Sequence, residues 1–215
     1  MKKIVSVIGN GESRIGFDIT QMKEFGEVVG CNAIARDHEL DHYIAVDRRV
    51  CQELANLTQH KNIPVYTRAD WHASFSFFPN VKLVPELPYQ GSNRWDKPFH
   101  WGSGPYALLL ACTLNPDIVF VIGCDLWGLE EDRKRENNVY KGTACYAPRK
   151  DAVDPSYWIK QFKVCFEIYK QTRFIYITPD KWTKPKEWEG LGNVYFDTYQ
   201  GLNKWILKKK ENQSQ

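Results

Sequence analysis

Short apolar runs bounded by turn residues alternate along the chain with longer stretches of helical periodicity. Ile4 to Ile8 predicts a buried strand, ended by Gly9-Asn10-Gly11-Glu12-Ser13. A short helix is expected over Ile19 to Phe25, then strands over Val28 to Cys31 and Tyr43 to Val46. Arg48 to Gln59 carries Val50, Leu54 and Leu57 on one helical face. Val65-Tyr66-Thr67 and Val81 to Val84 read as two more short strands.

Residues 85–102 are rich in Pro, Gly, Asn and aromatics and carry no period, so a long loop is expected there. Gly104 to Leu114 is an apolar helix, and Asp117 to Ile122 is an unbroken apolar run of the kind a central strand needs. Residues 126–153 are polar and Tyr-containing, and loops of that length usually serve as lids or binding loops. Pro155 to Lys170 predicts a helix with Asp154 as its N-cap and Pro155 at the first helical position. A strand over Arg173 to Ile177, another over Val194 to Phe196 and a closing helix from about Tyr199 to Lys209 complete the chain. This alternation predicts an α/β fold, a Rossmann-like, doubly wound and mostly parallel sheet. The expected organisation is one nucleotide-binding domain over 1–215, with a short lid insertion at 126–153.

Composition narrows the class. Of 215 residues, 43% are hydrophobic and 26% charged, the balance of a soluble globular chain and not of a disordered or fibrous one. No apolar run approaches the roughly 18 to 20 residues of a membrane span. The apolar stretch after Met1-Lys2-Lys3 stops at Gly9, too early for a signal peptide, so a cytoplasmic protein is expected. A net charge of +3 demands no nucleic-acid partner, and Lys208-Lys209-Lys210 reads as a solvated helix end. Eight Trp among 14% aromatic residues suit a firm core and a flat-ligand site. The six cysteines include no CxxC pair and read as reduced, mostly buried thiols.

Four loops carry candidate chemistry. In an open α/β sheet, ligands bind beyond the carboxyl ends of the strands. Gly9 and Gly11 would let backbone N–H groups approach a phosphate, and Asn10 offers an amide to a ribose or phosphate oxygen. The third glycine of the dinucleotide fingerprint is missing, which disfavours NAD, and a plain tight turn would also explain two glycines. Asn32, in Gly30-Cys31-Asn32, can reach the same ligand or serve as a turn residue. Trp101-Gly102-Ser103-Gly104-Pro105-Tyr106 leads into the apolar helix, where Ser103 can cap and free N–H groups can face an anion. In Gly123-Cys124-Asp125-Leu126-Trp127, Asp125 lies where α/β enzymes place acids, and Trp127 can stack or donate its indole N–H.

His38-Glu39-Leu40-Asp41-His42 matches the HExxH zinc pattern. That chemistry needs both histidines on one helical face and a third ligand, whereas here the motif runs straight into a strand. A solvent-facing turn is the better reading, and no metal site is expected.

Taken together, GNG-x-S after the first strand, CN after the second, SG-x-Y opening a helix and a strand ending in G-x-D plus an aromatic resemble the bacterial sialyltransferases of glycosyltransferase family 42, the Campylobacter type. The resemblance covers residues 4 to about 180, with 48–100 poorly matched. It implies a metal-independent transferase that takes a CMP-sugar and requires no cofactor. On that resemblance Asn10 and Asn32 contact the nucleotide, Gly9, Gly11, Ser13, Ser103, Gly104 and Asp125 belong to its loops, and the lid residues Trp127, Tyr140 and Tyr146 hold the departing phosphate. The family's general base is a His just before the helix that follows the lid, but no His occurs after His100. Asp154 stands at that position, with Asp151 as a second carboxylate able to deprotonate a hydroxyl. The archaeal 6-hydroxymethylpterin diphosphokinase type has a similar first loop.

The expected activity is therefore transfer of a sugar from a CMP- or UDP-linked donor to a hydroxyl acceptor: a glycan, a metabolite or a modified base in DNA. The compact size resembles that of phage-encoded members of such families. Arg133, Lys134, Lys141 and Arg149 would steady the leaving group in place of a metal. The alternatives are a pyrophosphokinase-type nucleotide transferase, with Asp125 and Asp47 on Mg²⁺, and a nucleotide-binding module without catalysis. The oligomeric state stays open.

Overall fold

The apolar runs become eight strands: β1 (Ile4–Ile8), β2 (Gly26–Cys31), β3 (His42–Ile44), β4 (Val65–Thr67), β5 (Val81–Leu83), β6 (Ile118–Ile122), β7 (Arg173–Thr178) and β8 (Val194–Thr198). The helices are α1 (Arg48–Thr58), α2 (Ala69–His72), α3 (Ser103–Thr113), α4 (Ser156–Ile168) and α5 (Tyr199–Gln213). The computed structural model describes residues 2–88, 101–129, 135, 137–148 and 151–213.

All eight strands join one parallel sheet in the order β5-β4-β3-β2-β1-β6-β7-β8. The fold is α/β and doubly wound. The order reverses between β1 and β6, which pair in register from Ile4 with Ile118 to Ile8 with Ile122. A crevice opens at such a reversal because the connections leave for opposite faces.

Both faces of the sheet are covered, which is why its central strands read as continuous apolar runs. Val5, Val7, Val119 and Val121 point into a core with α3 and α4. Ile8, Phe120 and Ile122 point the other way, into a core with α1 and α5. α3 is buried on nearly every side, from Pro105 to Cys112. Its sequence is apolar all round because the sheet and α4 enclose it.

Several boundaries differ from the sequence expectation. The segment Ile19–Glu24 is a 3₁₀ helix held at its start by Asp18, whose carboxylate accepts the Thr20 N–H at 3.0 Å. β3 stops at Ile44, and the Val46 N–H bonds the Ser103 hydroxyl at 3.2 Å instead of continuing a strand. Asp154 is not the N-cap of α4: Pro155 holds that place with ψ near 1°, and α4 begins at Ser156. The Asp154 carboxylate accepts the Ser156 N–H at 2.9 Å, a turn that precedes the helix. All six cysteines are free; Cys31, Cys51, Cys112 and Cys165 are buried, Cys124 is half-buried and Cys145 is exposed. His42 opens β3 and pairs with Glu27 at 2.9 Å, and His38 precedes the strand. No group of three or more His, Cys, Asp or Glu that could hold a metal ion occurs among the described residues. No helix among them is long and apolar enough to cross a membrane.

Candidate functional site

A cleft of about 550 Å³ opens at the carboxyl ends of β1, β2, β3 and β6. Each strand delivers one polar residue to it: Asn10 after β1, Asn32 after β2, Asp47 after β3 and Asp125 after β6. The start of α3 forms one wall, and Cys145, Tyr146, Tyr157 and Trp158 form another.

The glycines of the first loop serve the sheet. Gly9 N–H donates to the Ile122 carbonyl and Gly11 N–H to the Gly123 carbonyl, both at 2.7 Å, so β1 and β6 stay laced beyond their last paired residues. A Cβ on Gly9 would stand 2.3 Å from the Gly123 oxygen, and one on Gly11 2.4 Å from the Asp125 carboxyl. The Glu12 N–H goes to Asn137 Oδ1 at 2.6 Å and the Ser13 N–H to Asp125 at 3.0 Å. The expectation that these glycines offer N–H groups to a phosphate is therefore corrected: those donors are consumed by the close approach of two strands.

Asp125 is the hub that locks the loops. Only 4% exposed, it accepts the Ser13 N–H, the Ser13 hydroxyl and, at 2.8 Å, the Asn137 amide. Burial pushes its carboxyl above the usual range, against the opposing pull of the Ser13 and Asn137 hydrogen bonds. Asn137 also donates to the Trp127 carbonyl at 2.7 Å, so one side chain ties the loops after β1 and β6 together. The Trp127 N–H bonds the Asp125 carbonyl at 2.7 Å across Leu126, whose φ is +64°. A bulky residue in that γ-turn region stores strain of order 1 kcal/mol or more.

Asn10 is left unsatisfied. It is 8% exposed, and neither its Oδ1 nor its Nδ2 has a hydrogen-bond partner. Its backbone carbonyl accepts the Val139 N–H at 2.9 Å, which ties the residue to the segment 137–148. Asn32 sits in the left-handed region at φ +56°, where Asn is better tolerated than most side chains. Its Oδ1 accepts the Ser103 hydroxyl at 2.7 Å, and the Ser103 oxygen in turn accepts the Val46 N–H.

α3 begins without a side-chain cap, at Gly102. Gly102 itself donates to Gln161 at 3.1 Å, and a Cβ there would meet the Trp158 indole nitrogen at 2.5 Å. Ser103 and Gly104 line the cleft with first-turn N–H groups that no helical carbonyl can reach. An uncapped helix start, whose dipole favours negative charge, thus borders the cleft at α3.

Of the residues expected from sequence, Gly9, Asn10, Gly11, Asn32, Ser103, Gly104, Asp125, Trp127 and Tyr146 line the cleft. Ser13 does not; it stands behind Asp125 and also meets the Tyr199 hydroxyl at 2.8 Å. Trp127 donates its indole N–H to the Thr183 carbonyl at 3.0 Å. Tyr140 is buried outside the lining, its hydroxyl accepting from Arg14 at 3.2 Å. Asp151 and Asp154 are exposed and lie outside the lining, although Ala152 and Val153 between them reach it. Lys141 pairs with Glu12 at 2.5 Å, while Arg133, Lys134 and Arg149 fall outside the described residues.

Sequence reasoning passed over Arg14, Asn137, Tyr157 and Trp158, and weighed Asp47 only as a metal ligand. Arg14 is 7% exposed and donates to the Gly9 carbonyl at 3.0 Å, supporting the first loop from below. Asp47 had a legible signal, since it follows its strand as Asn10 and Asn32 follow theirs. Arg14 directly follows the first-loop motif but carries no pattern of its own, and Asn137, Tyr157 and Trp158 come from distant segments and have no signal.

No family model and no curated protein matches this chain. Among solved structures it is similar to the sialyltransferase CstII from Campylobacter jejuni in complex with the substrate analogue CMP-3FNeuAc, at 14% identity and a TM-score of 0.48, covering 82% of this chain and 80% of that one. It is likewise similar to the same enzyme in complex with cytidine-5'-monophosphate, at 16% identity and a TM-score of 0.43, covering 82% and 79%.

Proposed function

We propose that the cleft binds a pyrimidine nucleotide-sugar, CMP- or UDP-linked, and that the protein transfers the sugar to a hydroxyl acceptor. The observation that carries this reading is the Asn10 carboxamide, buried in the cleft with donor and acceptor both unpaired. A buried amide in that state costs about 1–3 kcal/mol, which a ligand offering a complementary donor and acceptor offsets on binding. The open first turn of α3 supplies N–H donors for the phosphate, and the Ser103 hydroxyl joins that wall to Asn32. Tyr146, Tyr157 and Trp158 add flat surfaces for a base or a sugar ring.

The motif resemblance to the sialyltransferases of the Campylobacter type supports CMP over UDP as the donor nucleotide. It also supports a leaving phosphate held by hydrogen bonds without a metal. The proposed acceptor is a hydroxyl on a glycan, a metabolite or a modified base in DNA.

Thermal melts with CMP, UMP, UDP, GDP, ATP and NAD side by side test the reading, because a ligand that binds the folded state raises the midpoint by mass action. CMP or a uridine nucleotide is expected to raise it, and Asn10→Ala to abolish the shift without lowering intrinsic stability, since the amide it removes is buried and unpaired. A shift with NAD alone sinks the proposal. For the transfer step, wild type is expected to release CMP or UDP from a linked sugar.

A further inference from the structure

Two carboxylates line the cleft among the described residues, and they differ in what they touch. Asp125 is enclosed and accepts from both Ser13 and Asn137, so its oxygens are committed to loop structure. Asp47 is exposed and occupies the N-cap position of α1, with φ −87° and ψ 128°. An Asp in that position ordinarily accepts an N–H from the first turn. Here its side chain makes no such bond, and its carbonyl alone starts the helix by accepting the Cys51 N–H at 2.9 Å. The carboxylate makes no hydrogen bond or ion pair with any described residue.

Two hydroxyls of the facing wall feel its charge. The Tyr157 hydroxyl is pushed up to about 12, first by burial and then by Asp47, against the opposing pull of the Trp158 hydrogen bond. Tyr146 is raised too, by burial, Cys31 and Asp47 in that order. Tyr157 and Trp158 belong to the first turn of α4, and both line the same cleft as Asp47.

We propose that Asp47 is the general base that deprotonates the acceptor hydroxyl, which makes its side of the cleft the acceptor subsite. This rests on the glycosyltransfer reading above. As the acceptor oxygen attacks the anomeric carbon, its proton passes to an Asp47 carboxylate oxygen. The bond from that carbon to the phosphate oxygen breaks, and its electron pair leaves with the nucleotide. The protonated Asp47 then returns its proton to solvent. A carboxylate without structural partners can accept and release a proton without disturbing the fold, which neither Asp125 nor a capping Asp can do.

The test uses the full-length chain and a panel of CMP- and UDP-linked sugars, with water as the acceptor and release of CMP or UDP as the readout. Asp47→Asn keeps the shape of the side chain, so nucleotide affinity is expected to stay within about twofold while release falls roughly 10²-fold or more. Asp47→Ala with added formate is expected to recover part of the rate, which a merely structural role would not allow. Release by Asp47→Asn within about threefold of wild type overturns the proposal and leaves the glycosyltransfer reading standing. Loss of release in Asp154→Asn, with Asp47→Asn near wild type, assigns the base to Asp154 and also overturns it. Nucleotide binding by wild type without release from any donor overturns the transfer reading itself, and the role of Asp47 with it.

Discussion

Two glycine-containing turns flank the cleft, and in sequence they look alike as phosphate sites. The loop Gly9-Asn10-Gly11 follows β1, and Gly102-Ser103-Gly104 opens α3. In the fold they have opposite roles. The first gives the N–H groups of Gly9 and Gly11 to carbonyls of β6 and its loop, leaving the Asn10 side chain as its offering to a ligand. The second gives the Gly102 N–H to the Gln161 side chain, and Ser103 and Gly104, whose first-turn N–H groups have no helical carbonyl to bond, line the cleft. A glycine thus has two separate uses: it lets two backbones approach each other, or it lets one backbone approach a ligand. Only the neighbouring chain decides which.

The sharpest way to break this contrast is alanine at each glycine. Gly9→Ala forces a Cβ to within 2.3 Å of a backbone oxygen that cannot move without unlacing β1 from β6. A stability loss of about 3 kcal/mol or more is expected in urea melts. Ser103→Ala comes next, because it strands the buried Val46 N–H and the Asn32 oxygen. About 1–3 kcal/mol should be lost, together with nucleotide affinity. At Gly104 a Cβ meets nothing closer than 3.8 Å. Gly104→Ala is therefore expected to leave stability unchanged within about 1 kcal/mol yet weaken binding of CMP, measured by calorimetry. A loss of stability at Gly104 as large as that at Gly9 would erase the distinction.

The pH dependence sharpens the picture of the first loop. Because burial raises the Asp125 carboxyl above its unfolded value, the protonated form is favoured in the fold. Its contribution to stability is fully present below the ordinary carboxylate pKa and is lost as pH rises through the raised value. Denaturant melts between about pH 3 and 7 should show this slope in wild type and not in Asp125→Asn. The smallest expected effect is that of a chelator: nucleotide binding at the α3 end should be unchanged by EDTA, measured by the same thermal shift. A strict Mg²⁺ requirement would favour the pyrophosphokinase alternative.

Much of the scaffold was legible from local pattern. Runs such as Ile4–Ile8 and Ile118–Ile122, short, rich in Ile and Val and bounded by turn residues, fit strands covered on both faces, and their alternation with helices implied a parallel sheet. From that sheet followed the rule that polar residues just past the strands meet in one crevice, and Asn10, Asn32 and Asp125 do meet there, joined by Ser103 from the start of α3. Each of these inferences needs only neighbours within a few positions.

What the tertiary structure decided was the state of each group once assembled. No pattern in GNGES reveals that β6 takes its N–H groups, since the partners lie more than a hundred residues away. Likewise the commitment of Asp125 depends on Ser13 and on Asn137, and the freedom of Asp47 on a cap bond that is not made. Asp154, attractive by position, turned out exposed and bonded to Ser156. Hydrophobic period is a local property and is written in the sequence. Hydrogen-bond satisfaction depends on which distant donor the fold brings within reach of each acceptor, and only the folded chain determines that.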